Sequence, residues 1–522
     1  MTIEDETRHK MKSYWEEHRS VAATSAPASA TADDCSTNNT TAIPSSTATV
    51  ETMMLDTNAK QLHALEIPEV LEKAPDVAGL DVLELAAGIG RYTGLLAQTA
   101  RHVTAVEFIG DFHKANVAAH GHLGNVSFEC QDVVDFTAAP RSFDIVFSNW
   151  LFMYLSDDEV RSFAAKAVRW LRPGGRLFFR ESCFRQSGDV KRGENPTYYR
   201  HPSFYVAAFG AVRSDEGNDG VGVLELEASS SISVYRKLKR NHGQICFTYV
   251  KQLRPATGGD ADAPTSFQHF LDEHQYSTRS ITRYEKIFGA GYVSTGGQGT
   301  TTEFVAKLGL QKGDRVLDVG CGIGGGDLYM AREFGASVLG IDLSTNMVHR
   351  ALEAAMAAPE LDVEFEVCDA TQRDFPPESF DVIYSRDTIL HIADKAALFR
   401  RFFRWLKPGG RVLISDYCRG DVDGTPHFQA YVASRGYHLL SPAQYGKTLE
   451  AAGFSAVEAH DRTAQFVDVL NEELARTKAI EAEFVRETSA QDFADIVNGW
   501  EAKLVRCAEG DQKWGLFFGR KQ

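Results

Sequence analysis

Val316 to Gly326, VLDVGCGIGGG, reads as a β-strand that runs into a glycine turn and then a helix. The stretch VLELAAGIGRY at Val82 to Tyr92 says nearly the same thing. Three further blocks recur in the same order. RHVTAVE ending at Glu107 pairs with SVLGID ending at Asp342, and SFDIVFSN ending at Asn149 with SFDVIYSR ending at Arg386. WLRPGGRLFFRE from Trp170 pairs with WLKPGGRVLISD from Trp405. Glu107 to Asp342 and Trp170 to Trp405 are both 235 residues apart, a register that unrelated strands would not keep. The chain is therefore two copies of one domain.

A length of 522 residues suits two such domains. In each copy short β-branched runs alternate with helical stretches, the pattern of an α/β fold with a mostly parallel, doubly wound, Rossmann-like sheet and helices on both faces. In the second copy RVLDVG is strand one, the residues from Gly326 to Phe334 a helix stopped by Gly335, and SVLGID strand two. FDVIYS and GRVLISD are strands four and five, separated by a WLKPGG turn.

The expected organisation is a helix of the first domain within residues 1–20, a disordered Ala/Ser/Thr-rich insert at 21–49, and the first domain over 50–253. A Pro/Gly/Asp-rich linker at 254–265 and the second domain over 266–522 complete it. A net charge of −16 argues against nucleic acid. No apolar run of about 18 residues is present, so no membrane span is expected. Eight cysteines without metal-type or CxxC spacing point to reduced thiols in a cytoplasmic protein with no metal site.

The glycine turn lets a ligand approach the backbone. Asp342, 22 residues beyond Gly320, is placed to accept the ribose hydroxyls of an adenosine, and Glu107 does so in the first copy. Glu84 and Asp318, at the end of strand one, argue against a pyrophosphate there, because like charges repel. A cationic methionine moiety would suit those carboxylates, which selects S-adenosylmethionine. The first copy departs at Ala86, where glycine is expected, and has Arg91 where the second has Gly325.

After strand four the second copy reads YSRDTILHI, with Asp387 and His391 spaced to share a face if the segment is a helical turn. A neutral imidazole there could deprotonate an amine. The first copy has Trp150 and Tyr154 at those places, so the two copies are expected to differ in acceptor or step. In YVASRGY, Tyr431, Arg435 and Tyr437 bring phenols and a guanidinium together, with Tyr417 near enough to join, a combination suited to phosphate.

The [DE]xGxGxG pattern and the L[RK]PGG turn resemble class I methyltransferases in both copies. The second copy, through IFGAGYVSTGG, YSRDTILHI, ISDYC, YVASRGY and GWEAKL, resembles phosphoethanolamine N-methyltransferases. The first resembles the other half of the tandem, plant-type form through MKSYW, MMLD, LELAAGIGR and SCFRQSGDVKR. The resemblance implies Tyr276 and His391 as the catalytic pair, with Asp387 against the amine and Gln275, Tyr284, Ser294 and Arg386 around the ligands. Phosphate contacts carry over to Tyr417, Tyr431, Arg435, Tyr437 and Lys503, and in the first copy phosphobase contacts to Ser187, Gly188, Arg192 and Tyr199. The expected cofactor set is Glu84, Gly88, Arg91, Glu107, Asp132, Val133 and Asn149 in the first copy. In the second it is Ser294, Asp318, Gly320, Gly322, Asp342, Asp369, Ala370 and Arg386. The resemblance further implies methylation of phosphoethanolamine to phosphocholine, with the first step in the first domain and the later two in the second. A monomer acting on small phosphobases is expected.

Overall fold

The structure is a computed structural model that describes residues 6–15, 49–189, 197–255, 266–422 and 424–522. Most of the expected insert and linker, and Arg192 with them, lie outside those residues. The chain divides into two compact units, Met1–Ala261 and Asp262–Gln522.

In the first unit β1 (Asp81–Leu85), β2 (His102–Glu107), β3 (Val126–Cys130), β4 (Phe143–Asn149) and β5 (Leu171–Ser182) run parallel in the order 3-2-1-4-5. A short β6 (Arg213–Asp215) pairs with β7 (Val221–Ser231). β7 lies antiparallel to β8 (Gln244–Arg254), and β8 antiparallel to β5. The second unit repeats the parallel part with β9 (Arg315–Val319), β10 (Ser337–Asp342), β11 (Val363–Cys368), β12 (Phe380–Arg386) and β13 (Leu406–Arg419), in the order 11-10-9-12-13. Its antiparallel extension is β14 (Ser455–Asp461) and β15 (Gln512–Arg520), with β15 against β13. In both sheets the order reverses at the first and fourth strands, where α/β sheets open a crevice at the strands' carboxyl ends.

The central strands are apolar on both faces because helices cover both sides. Val316, Leu317, Val319, Val382 and Ile383 are all essentially inaccessible. Trp405, Phe402, Phe399 and Leu398 of the helix Lys395–Trp405 pack with Ile414 and Phe517, and the Tyr445 and Phe517 rings stack at 3.9 Å. In the first unit Phe179 stacks on Phe247 at 4.8 Å across β5 and β8. Each such ring adds roughly 1.5–3 kcal/mol over an exposed one. The helix Asp157–Trp170 starts with a capping box of Ser156 and Glu159.

Two expectations change in detail. The helix after the glycine turn spans Gly325–Phe334, with Gly335 at its C-cap in the left-handed region. The WLKPGG segment is a bend inside β13 rather than a turn before it: the strand begins at Leu406, directly after the helix, and its register with β12 shifts past the Pro-Gly-Gly.

Ala86 does not alter the turn. Its φ of 54° keeps the left-handed path that Gly320 takes at 82°. A Cβ on Gly320 would fall 2.1 Å from Thr388 Oγ1, whereas the first copy has Leu151 at the Thr388 position. Gly320→Ala should therefore destabilise the second unit by at least about 1 kcal/mol, while Ala86→Gly leaves the first unit no less stable. Denaturant unfolding of both variants measures this, and equal losses would contradict it.

Candidate active site

In the second unit a cavity of about 490 Å³ opens at the carboxyl ends of β9 and β12. Ser294, Asp318, Gly320, Gly322, Asp342, Asp369, Ala370 and Arg386 all line it, and so do Tyr276, Asp387 and His391. The glycine turn is pinned to strand two: Gly322 N donates to Asp342 Oδ2 at 3.0 Å and Ser344 N to Oδ1 at 2.8 Å. Burial pushes the Asp342 carboxyl up to about 6. Asp369 accepts from Thr371 N and Oγ1, both at 2.7 Å. Asp318 is 4% exposed, and its Oδ1 receives no hydrogen bond. Burial, and then the like charge of Asp327, raise its carboxyl well above the ordinary range. A buried carboxylate oxygen without a donor, facing a cavity, fits a ligand that carries a positive charge there.

Arg386 is engaged already, donating to Thr301 Oγ1 at 2.7 Å, Thr295 O at 2.7 Å and Thr300 Oγ1 at 2.9 Å. Asp387 and His391 do not share a helical face. Asp387 sits at φ 50°, and only a 3-10 turn, Ile389–His391, follows. The left-handed residue turns the chain so that both side chains still reach the cavity. Asp387 Oδ1 accepts from Trp514 Nε1 at 2.9 Å and Ser415 Oγ at 3.2 Å, and Thr295 N lies 3.3 Å from Oδ2. The Gln275 amide nitrogen joins the other pair, 2.9 Å from Tyr276 Oη and 3.4 Å from His391 Nε2. Burial first, then the charges of Lys395, Arg435 and His438, push the His391 imidazole down to about 4. It is neutral at neutral pH.

Beyond His391 the aromatic groups and cations meet as expected. The His391 and Tyr437 rings are 5.1 Å apart, and those of Tyr437 and Tyr431 are 6.0 Å apart. Arg435 caps the helix Pro426–Ser434, and Gly436, at φ 63°, ends it. Desolvation raises the Tyr276 and Tyr284 phenols, and the Arg435 charge opposes this in part. Tyr417 Oη is 3.2 Å from Thr295 Oγ1. Lys503 Nζ lies 3.8 Å over Trp500 and 5.8 Å from the centre of Tyr417, and burial brings its ammonium down to about 8. Arg506 lies 3.8 Å over Tyr431, with Gln512 Oε1 as its hydrogen-bond partner at 2.8 Å. Among the described residues none of these three cations has a carboxylate within ion-pair distance. Arg506 was not singled out in the sequence, although its i, i+3 spacing from Lys503 puts both on one helix face. Trp514 and Thr295 were not singled out, although Thr295 stands in the STGG of IFGAGYVSTGG, because neither side chain titrates.

The first unit holds a smaller cavity, about 130 Å³, lined by Glu84, Gly88, Arg91, Glu107, Asp132, Val133 and Asn149. Glu107 accepts from Gly88 N at 2.8 Å and Ile109 N at 2.7 Å, as Asp342 does in its own unit. Burial raises Glu84 to about 8, against the hydrogen bond from Thr93 Oγ1 at 2.6 Å. Trp150 and Tyr154 line this cavity with Trp15, whose ring centre is 6.1 Å from that of Tyr154. Arg91 borders the cavity, but its guanidinium is taken up by Glu66 and by His63 Nδ1. The Gly325 counterpart has no such room, since a Cβ there would meet Gly291 O at 2.0 Å. Ser187, Gly188 and Tyr199 are not brought to the cavity wall. A Cβ on Gly188 would meet Leu55 O at 2.4 Å, and Asp189 beside it holds Thr57 N at 2.9 Å.

Two parallel sheets with a glycine turn, a strand-one carboxylate and a strand-two carboxylate define methyltransferases, and a methyltransferase-domain family matches residues 82–175 and another 297–459. The chain is 50% identical over 517 residues to phosphoethanolamine N-methyltransferase 1 of Triticum aestivum, covering 98% of this chain and 97% of that protein. It is 50% identical to phosphoethanolamine N-methyltransferase 1 of Arabidopsis thaliana, covering 91% of this chain and 95% of that one. The solved structure of Haemonchus contortus phosphoethanolamine N-methyltransferase 2, in complex with phosphomonomethylethanolamine and S-adenosylhomocysteine, is 29% identical. It superposes with a TM-score of 0.71 over 88% of this chain and 99% of that one. The chain belongs to the phosphoethanolamine N-methyltransferase family.

Glu66 is wholly buried between Arg91 and Arg180, with Arg180 Nη2 at 2.6 Å from Oε2. Glu66→Gln leaves two buried guanidiniums without a counter-charge and should cost the first unit about 3–5 kcal/mol. Denaturant unfolding checks this, and a loss under about 1 kcal/mol would show that the pair is hydrated.

Proposed function

We propose that this chain transfers methyl groups from S-adenosylmethionine to phosphoethanolamine and on through the mono- and dimethyl phosphobases to phosphocholine. The observation that carries the reading is the charge pattern of the second unit's cavity. Asp318, with a carboxylate oxygen that has no donor, and the neutral His391 imidazole both line it, and the Tyr437 ring, 5.1 Å from that of His391, leads on to Tyr431 with the cations Arg435 and Arg506 over it.

The residues fit the donor. Asp318 faces its cationic amino acid portion, Asp342 its ribose, and Asp369 with Ala370 its base, with Glu84, Glu107 and Asp132 in those places in the first unit. The bound donor supplies an electrophilic methyl group on a sulfonium. Arg435, Lys503, Tyr431 and Tyr437 hold the acceptor's phosphate, and the cations supply charge-assisted bonds. Each acceptor, from primary to tertiary amine, is an ammonium at neutral pH and must lose a proton before its nitrogen can attack. His391 Nε2, on the Gln275 and Tyr276 side of the ring, takes that proton, and Asp387 faces the ammonium. Holding the nitrogen in line supplies roughly 7–11 kcal/mol and the base about 10²–10⁴ in rate.

The first unit presents Tyr154 and Trp150 instead of His391 and Asp387, which supports a division in which it performs the first methylation and the second unit the later two. Full-length His391→Asn given phosphoethanolamine should then accumulate phosphomonomethylethanolamine. Phosphocholine formation at the wild-type rate would refute the division. Six of the seven described cysteines are buried free thiols, in keeping with a reducing, cytoplasmic setting, and no helix among the described residues is long and apolar enough to cross a membrane.

The anchor has a pH signature. Lys503 carries its charge below about 8 and loses it above, so kcat/KM for the phosphobase should fall as pH rises through that value. Lys503→Arg keeps its charge and should move that limb upward. Tyr437→Phe and Lys503→Met should raise the phosphobase KM about 10–100-fold without changing the KM of the methyl donor.

A further inference from the structure

The side chain at the apex of the turn after strand four differs between the units, but the grip on the turn does not. In the second unit Asp416 Oδ1, on β13, accepts from Leu390 N at 3.2 Å. Lys395 Nζ donates to Ile389 O at 2.7 Å and to Ile392 O at 2.8 Å. Leu390 O accepts from His438 N at 2.7 Å. In the first unit Glu181, at the matching place on β5, accepts from Leu151 N at 2.8 Å, Phe152 N at 2.6 Å and Met153 N at 3.2 Å. Arg200 Nη1 donates to Phe152 O at 2.7 Å and Nη2 to Leu155 O at 2.5 Å, and Met153 O accepts from Tyr198 N at 2.7 Å.

The same carbonyls of the turn are thus held by a cation in both units. The cations come from unrelated places: Lys395 opens the helix just after the turn, while Arg200 lies 45 residues beyond Leu155. A shared ancestor explains the strand-five carboxylate. It does not explain why two different side chains end on matching carbonyls, unless the turn has to be held. Lys395 is 4% exposed and Asp416 fully buried, and leaving either charge there without function would be costly.

We propose that Asp416 and Lys395 are positioning residues that clamp the turn carrying His391 from its amide and carbonyl sides, and that Glu181 and Arg200 do the same for Tyr154. The proposal rests on the reading of His391 as the base. It adds that Lys395 serves twice, fixing the ring's place and keeping it neutral. The charged or titratable groups around the imidazole are Lys395, Arg435 and His438, with the phenols of Tyr276 and Tyr437. Asp387 and Asp394 line the same cavity, but Trp514, Ser415 and Thr295 hold the first, and Ala397 N at 2.8 Å holds the second.

The test uses full-length Lys395→Met and Lys395→Arg, assayed with phosphomonomethylethanolamine, together with an NMR titration of the ¹³C-labelled His391 ring. Lys395→Met should lose on the order of 10²-fold in kcat with the phosphobase KM changed less than about threefold, and the His391 titration should move upward. Lys395→Arg should restore most of kcat. A kcat within about twofold of wild type together with an unmoved titration overturns the proposal. So does a joint loss of kcat, KM and thermal stability that arginine does not rescue, because Lys395 would then be a packing residue only. A titration that moves while kcat stays put supports the clamp and overturns His391 as the base.

Discussion

A charge buried without a partner has to be answered by something, and in the proposed reading the ligands answer it. Asp318 Oδ1 has no donor, and among the described residues neither the buried Arg506 nor the half-buried Lys503 has a carboxylate within ion-pair distance, while Arg435 is exposed. Proteins seldom leave such groups in their interiors, because each costs several kcal/mol unless it is paired or neutralised. An unanswered carboxylate suits a cationic donor, and unanswered cations suit an anionic acceptor. Burial, and then the charges of Lys395, Arg435 and His438, keep the His391 imidazole neutral. Arg435, which the proposed reading gives to the acceptor's phosphate, is thus also one of the charges that leave the imidazole free to accept a proton.

The duplication shows which parts of the frame are rigid. Glycine-turn dihedrals, the strand-two carboxylate on the turn amide and the hold on the post-strand-four turn are the same in both units, even where Ala86 stands for Gly320 and Glu181 for Asp416. What varies is the side chain presented: Tyr154 for His391, Trp150 for Asp387, Arg91 for Gly325. In the first unit the space near the turn is given to a buried Glu66 network with two arginines, and the cavity is correspondingly smaller. The side chains presented differ on a shared mount.

Parallel strands one, two, four and five, the glycine turn and the strand-end carboxylates were legible because they follow local patterns: β-branched runs, glycine at positive φ, and an acid a fixed distance on, whereas the third strands, β3 and β11, were not singled out. The antiparallel strands β7, β8, β14 and β15 were not, since their pairing depends on partners far away in sequence. For the same reason the Trp514 and Thr295 contacts to Asp387, and the Glu66 network, could not be read from spacing. The YVASRGY cluster was readable because helical spacing and the glycine stop put Tyr431, Arg435 and Tyr437 together. The i, i+4 reading of Asp387 and His391 failed, because a left-handed aspartate takes the place of a helical turn. In the first unit the QSGD stretch packs on the Leu55 to Thr57 segment, a tertiary contact that local sequence does not reveal.

The most direct measurement compares phosphoethanolamine with free ethanolamine as acceptors for the purified full-length chain and methyl-labelled S-adenosylmethionine, with products read by mass. The expected result is one, two and three labelled methyl groups on the phosphobase, ending in phosphocholine, and almost none on the free amine. Equal methylation of both amines, or of neither, would contradict a site built on an anchored anion.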